Sequence, residues 1–200
     1  MRTRVALNVS PLPTNAFGSR ALTWWGTIAF MSLEGMGFAL AIGAYLYLRT
    51  RAAQWPINSP PPDLLPGTGV TIILLLSLIP NYFAEKWARS MNLKKVQWSL
   101  VLMSVVGVSP LIVRVFEFGA LHARWDSDAY GSLVWFLLGL HTTHLLTDVG
   151  DTIVLAVLMF TRHGNNPRRF GDASDNAFYW DFVVLSWLPI YFVIYWIPRL

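Results

Sequence analysis

The chain has no cysteine and carries little charge. Without thiols it forms no disulfide, uses no thiolate nucleophile, and holds neither an iron–sulfur cluster nor a Cys-ligated zinc. Charged residues occupy 13% of its 200 positions, against about 25% in a soluble domain. That is too little charge to cover a water-facing surface. A phosphate-binding glycine loop, a Ser/His/Asp grouping and an H-E-x-x-H string are also missing, as is any repeat of roughly 20–50 residues. Strand-like alternation is absent as well. Stretches such as ILLLSLI and VVGVSPLIV lack the two-residue period of a membrane-spanning β-barrel.

What the chain does have is apolar surface: 54% hydrophobic residues, 14% aromatic and a mean hydropathy of +0.47. Such a chain is neither soluble nor disordered; it belongs in a membrane. Its net charge of +4 does not point to nucleic acid, because the basic residues sit in short clusters between apolar runs, as they do at the flanks of membrane helices.

Runs near 20 apolar residues predict one membrane domain over 1–200, all-α, with five transmembrane helices at about 22–48, 67–83, 96–116, 129–161 and 178–197. Helices are expected because lipid-exposed backbone must satisfy its own hydrogen bonds. Trp24, Trp25, Tyr82, Trp98, Trp180 and Trp196 fall near span ends, where aromatic anchors collect. Ser59-Pro60-Pro61-Pro62 reads as a stiff connector after the first span. Ala39-Leu40-Ala41 imitates a signal-peptidase site, but Glu34 would then interrupt the apolar core of the leader, so cleavage is not expected. Ten basic residues (Arg2, Arg4, Arg20, Lys86, Arg89, Lys94, Lys95, Arg162, Arg168, Arg169) gather on one side and five (Arg49, Arg51, Arg114, Arg124, Arg199) on the other. The richer side is expected to be cytoplasmic, with the N-terminus inside and the C-terminus outside.

An ionisable group in hydrocarbon costs about 2.5–3.5 kcal/mol on insertion scales, so each one needs a reason. Glu34 lies twelve residues into the first span. A protonated carboxyl, a pairing with a buried donor and contact with a watery path are all compatible with its position. His141, His144, Asp148 and Asp151, spaced 3, 4 and 3 apart, share one helical stripe that must face protein or water rather than lipid. The two carboxylates on that stripe are expected to hold an imidazolium or fix a tautomer. H-x-x-H with Asp148 could form a 2-His-1-carboxylate set, but two ligands from one helix favour a hydrogen-bonded network over a metal site. Pro80, Pro110 and Pro189 are candidate kinks. Gly35, Gly37 and Gly43 suit either close helix approach or a groove for acyl chains.

Several motifs occur in a telling order. Glu34 sits within SLEGMGFALAIGAYLYLR, and Glu117 closes the third span. DAYGSLVWFLLGLHTTHLL follows, then AFYWDFVVLSWLPIYFVIYW. Over Leu22 to Trp196 the chain resembles subunit III of the haem–copper terminal oxidases, the cytochrome c and quinol oxidases. Glu34 matches the family's intramembrane glutamate and Glu117 its acidic position. Tyr130, Gly131 and Ser132 match Y-G-S; Gly139, His141 and His144 match G-x-H-x-x-H; Tyr179, Trp180, Phe182 and Trp187 match the last helix. The departures are specific: the first two of seven family helices are missing, as in five-helix bacterial forms, Asp148 replaces a small residue, Asp181 replaces a histidine, and Asp126 and Asp128 flank a displaced acidic position.

The resemblance implies an accessory subunit of a respiratory oxidase in the bacterial cytoplasmic membrane. Such a subunit packs against catalytic subunit I and other oxidase subunits, among membrane lipids. It implies no metal or haem in this chain, with haem and copper in partner subunits, and it admits bound phospholipid beside the glutamate. Support of turnover, proton uptake or oxygen access would follow from the same likeness. Two other readings stand beside it: a subunit-III-like protein of a nitric oxide reductase system, and an independent proton-coupled transporter working through Glu34 and the fourth-span stripe. The expected polar network comprises Glu34, Glu117, His141, His144, Asp148 and Asp151, with Glu34 bonded to another span and His141 or His144 as its nearest candidates.

Overall fold

The structure is a computed structural model that describes residues 17–57, 59–162 and 164–200. Those residues form a short 3-10 turn and five long helices: α1 (Leu22–Arg51), α2 (Leu64–Arg89), α3 (Leu93–Gly119), α4 (Ala129–Phe160) and α5 (Pro167–Tyr191). A π-helical turn, Phe192–Trp196, and a 3-10 turn, Ile197–Arg199, finish the chain. Each helix is long and apolar enough to cross a membrane, and no strand occurs among the described residues. All the helices but α4, which stops one residue short of its window, run past the apolar windows read from the sequence at one end or both. The largest difference is in α5, which starts at Pro167 rather than Phe178. Its extra turns, PRRFGDASDN, are polar, but Asn166 caps them by accepting from the Arg168 amide at 3.1 Å and Pro167 suits the first helical position.

Helices α2, α3, α4 and α5 pack as a ring in which α2 touches α3 and α5, and α4 touches α3 and α5, while α1 lies across α4 and α5. Consequently α1 is the least covered span, with 11% of its apolar window buried against 50% for the last. Ridge-forming residues at helical spacing fill the ring: Val70 and Leu74 from α2, Val134, Leu137, Leu138 and Leu145 from α4, and Val183, Val184, Trp187 and Ile190 from α5. A second core of Ala88, Val96, Leu100, Met159 and Phe170 closes one end. That end gathers Lys86 and Arg89 of α2 with Lys94 and Lys95 of α3 and the Arg168–Arg169 start of α5. Arg2 and Arg4, counted to the same side, lie outside the described residues.

The α2–α5 seam is laced with hydrogen bonds. Trp180 Nε1 donates to Ser77 Oγ and Trp187 Nε1 to Thr71 Oγ1, each at 2.8 Å. Asn81 Nδ2 donates to the Ala177 carbonyl at 2.7 Å and to Asp181 Oδ1 at 2.8 Å. Trp180 is therefore a buried cross-helix donor and not the interfacial anchor its position suggested. Trp25, Tyr82, Trp98 and Trp196 are exposed at span ends. Close helix approach depends on glycines other than Gly37 and Gly43, which have no neighbour that a Cβ would touch; Gly35 meets only the Phe182 ring. At Gly67 an added Cβ would lie 2.4 Å from the Tyr195 ring, and at Gly107 it would lie 2.7 Å from Val149.

Candidate functional site

Two hydrogen-bonded networks join the helices inside the bundle. In the first, Glu34 of α1 reaches both neighbours at once. Its Oε1 lies 2.8 Å from His144 Nε2 on α4, and its Oε2 accepts from the Tyr179 hydroxyl of α5 at 2.7 Å. His144 Nδ1 sits 2.6 Å from the Leu140 carbonyl, which can only accept, so Nδ1 carries a hydrogen. The short Nε2–Oε1 contact then needs one further proton between the two groups. Whether that proton resides on the imidazole or the carboxyl, the pair is neutral overall. Neutrality is what makes the pair tolerable near mid-bilayer. The Phe38 ring, one turn along α1, covers His144 with centroids 5.0 Å apart.

The second network is buried more deeply. Arg114 and Glu117 of α3 are 1% and 0% exposed and pair at 2.8 Å. Tyr195 donates to Glu117 Oε1 at 2.5 Å, and Arg114 Nη2 donates to His141 Nδ1 at 3.0 Å. With Nδ1 accepting, His141 must place its hydrogen on Nε2, which donates to the Val183 carbonyl at 3.0 Å. His141 is thus neutral with its hydrogen on Nε2, whereas His144 carries one on Nδ1. The guanidinium also lies over the Trp187 ring, 4.1 Å from its centroid. Charges cancel here too.

The rest of the fourth-span stripe follows a different course. Asp148, 2% exposed, accepts from Asn176 Nδ2 at 2.8 Å, while Asn176 Oδ1 accepts from Thr152 at 3.1 Å. Its second oxygen, Oδ2, is buried without a hydrogen-bond partner. Asp151 is exposed and lines two adjoining basins of about 560 and 620 Å³ between α1, α4 and α5. The same-helix carboxylates therefore do not hold the imidazoles, contrary to expectation. That task falls to Glu34 and Arg114 on other helices, because side chains three or four apart on one helix lie side by side and a partner helix faces them. The 2-His-1-carboxylate set is not assembled, since its three members bond in different directions. No three His, Asp or Glu residues among the described ones converge to hold a metal ion.

The remaining motif residues shape the start of α4. Asp128 caps the helix by accepting from the Gly131 amide at 2.7 Å. Gly131 has no room for a side chain, because a Cβ would fall 2.0 Å from the Arg124 carbonyl oxygen. Ser132 donates to the Trp125 and Asp128 carbonyls at 2.7 and 3.0 Å. Tyr130 is fully buried, its ring 5.2 Å from that of Trp55. Gly139 is half-buried and touches no other helix closely. In the loop before α4, the Arg124 guanidinium, hydrogen-bonded to Asp126, holds that carboxyl below its ordinary range.

Sequence reading missed Arg114, Tyr195 and Asn176. Arg114 had a signal: it lies inside the third span, three residues before Glu117, a spacing that places opposite charges on one helical face. Counting it with the outer basic residues concealed its burial.

Residues 18–198 match the family described as cytochrome c oxidase subunit III. Among curated relatives, the cytochrome c oxidase subunit 3 of Drosophila yakuba is 29% identical over 86% of this chain and 68% of its own length. The cytochrome c oxidase subunit 3 of Thermostichus vulcanus is 23% identical over 87% of both chains. A probable cytochrome c oxidase subunit 3 of Mycobacterium bovis is 28% identical over 86% of both.

Proposed function

The chain belongs to the cytochrome c oxidase subunit III family, and from that premise we propose that it seats against the catalytic subunit I of a bacterial haem–copper oxidase and steadies it. It is a multi-pass membrane protein and an accessory subunit of an oxidase complex. The family match disfavours the nitric oxide reductase and independent transporter readings. Haem and copper reside in the partner subunits, and this chain ligates neither. Its N-terminus lies in the cytoplasm and its C-terminus outside, because the basic residues of α2, α3 and α5 collect at the end where the chain enters α1.

The observation that carries the proposal is the meeting of Glu34, His144 and Tyr179, three positions shared with the family motifs, at one point joining α1, α4 and α5. These contacts fix α1, the least covered span, to the ring. The interior polar residues serve packing first, since both networks join helices and are neutral. The exposed apolar faces of the helices, with Leu33, Leu76 and Val105 among them, offer acyl chains and dioxygen an apolar surface, which suits a role in sustaining turnover.

Purification through a tag on this chain tests the proposal. Haem-bearing chains should co-elute, and stripping this subunit should leave haem and copper spectra with the core while sustained turnover declines. A stoichiometric metal leaving with this chain, or substrate transport by the chain alone in liposomes, would contradict it. Glu34→Gln should preserve assembly and change turnover modestly. A severe loss of proton uptake would instead assign Glu34 to a relay.

A further inference from the structure

The groove between α1, α4 and α5 holds two carboxyl groups that lie outside both networks. Asp148 and Asp151 stand three residues apart on one face of α4 and both line the inner basin. Asp148 Oδ2 is buried with no hydrogen-bond partner among the described residues. None of the ion pairs among the described residues includes Asp148 or Asp151. The basic side chains that line the same basins are already engaged, Arg169 with Asp172 at 3.0 Å and His144 with Glu34 at 2.8 Å.

Depth narrows what can pair with these carboxyl groups. Asp148 lies twelve residues before the end of α4, roughly 18 Å along the helix at 1.5 Å per residue, near the level of Glu34, which is twelve residues after the start of α1. A lipid ammonium at that depth would have to carry its phosphate into hydrocarbon, whereas a basic side chain on a neighbouring span arrives on an apolar stem. In the outer basin Phe30, Val154, Leu155 and Leu158 stand beside Asp151, together with Arg169, Asp172 and Asp175. Intramembrane charges are stable when they pair with one another.

We propose that this groove receives a lysine or arginine carried at mid-bilayer depth on a transmembrane helix of a partner subunit, whose cationic head bonds Asp148 and Asp151. The surface is thereby a docking site read by charge as well as shape. It rests on the accessory-subunit reading only in requiring a partner.

Electron cryomicroscopy of the intact complex, purified through this chain into lipid nanodiscs, tests it. The expected result is a lysine or arginine nitrogen of another chain within about 4 Å of the Asp148 or Asp151 carboxyl group. A groove holding only water, only acyl chains or an inorganic cation would overturn the proposal. Asp151→Asn supplies a second test, because Asp151 is exposed and no ion pair among the described residues includes it. Retention of the docked chain through detergent washing should fall at least about tenfold, while Glu85→Gln on α2 should leave it unchanged. Unaltered retention in Asp151→Asn would overturn the proposal. The two readings fail separately: a preparation without haem-bearing chains refutes the accessory-subunit role, whereas a haem-bearing complex with no basic side chain in the groove refutes only the docking.

Discussion

Replacing Glu117 by glutamine removes one unit of charge while keeping nearly the same shape, and so isolates the electrostatic part of the buried Arg114 pair. At 2.8 Å and an effective dielectric of 20, the gross attraction is about 6 kcal/mol. Most of that offsets the desolvation of two ions whose side chains are 1% and 0% exposed. Glu117→Gln still accepts from Tyr195, but it turns an amide donor toward a guanidinium donor and leaves the Arg114 charge uncompensated. The expected destabilisation is about 3–5 kcal/mol. Adding Arg114→Met removes the orphaned charge and leaves mainly the unpartnered His141 Nδ1, worth about 1–3 kcal/mol. The double variant should thus be more stable than Glu117→Gln alone. Unfolding of the chain in mixed micelles, followed by tryptophan fluorescence, closes the cycle. Additive losses, or a Glu117→Gln variant as stable as the parent, would refute the reasoning.

Other outcomes follow from the same contacts. Glu34→Leu strips both His144 and Tyr179 of their partner and should cost about 2–4 kcal/mol in that micelle assay, whereas Glu34→Gln, which can bond both, should cost under about 1 kcal/mol; equal losses would show that the contact is not polar. Gly67→Ala pushes a methyl group into the Tyr195 ring and should destabilise by about 1–3 kcal/mol, with Gly69→Ala, which meets only Val113 at 4.0 Å, near neutral. Trp180→Phe forfeits the bond to Ser77 and should lower stability by about 1 kcal/mol. The depressed Asp126 carboxyl favours the fold above its ordinary range and loses that contribution as pH falls through its lower folded value. Asp126→Asn should therefore lower the midpoint slightly at neutral pH, match the parent in acid and flatten the limb between.

The five helices were legible because apolar runs of membrane length leave the backbone few alternatives. Helix α5 was only half legible: its polar first turns read as a connector, and what makes them helical is the Asn166 cap and their packing on the second core. The inward turn of Glu34 could be foreseen from the cost of a charge in lipid, and its partner from the resemblance. The identities of the other partners were hidden. Period-3.6 patterning tells which face of a helix is polar but not which helix will face it, so Asp148 finds Asn176 and His141 finds Arg114 rather than each other. Trp180 shows the same limit, since an indole near a span end serves a wet interface or a buried hydroxyl equally well. Asp181, a departure from the family pattern, gained its explanation only when Asn81 of α2 was seen to reach it.

The two imidazoles inside the membrane are held by charged partners on other helices. Nitrogen-15 spectra of the histidine side chains, recorded on the chain in nanodiscs and assigned by single replacements among its four histidines, measure this directly. The predicted result is a neutral His141 with its hydrogen on Nε2, and a His144 with a hydrogen on Nδ1 whose Nε2 signal moves when Glu34 becomes glutamine. A His141 protonated on Nδ1, or a His144 spectrum indifferent to Glu34→Gln, would contradict it.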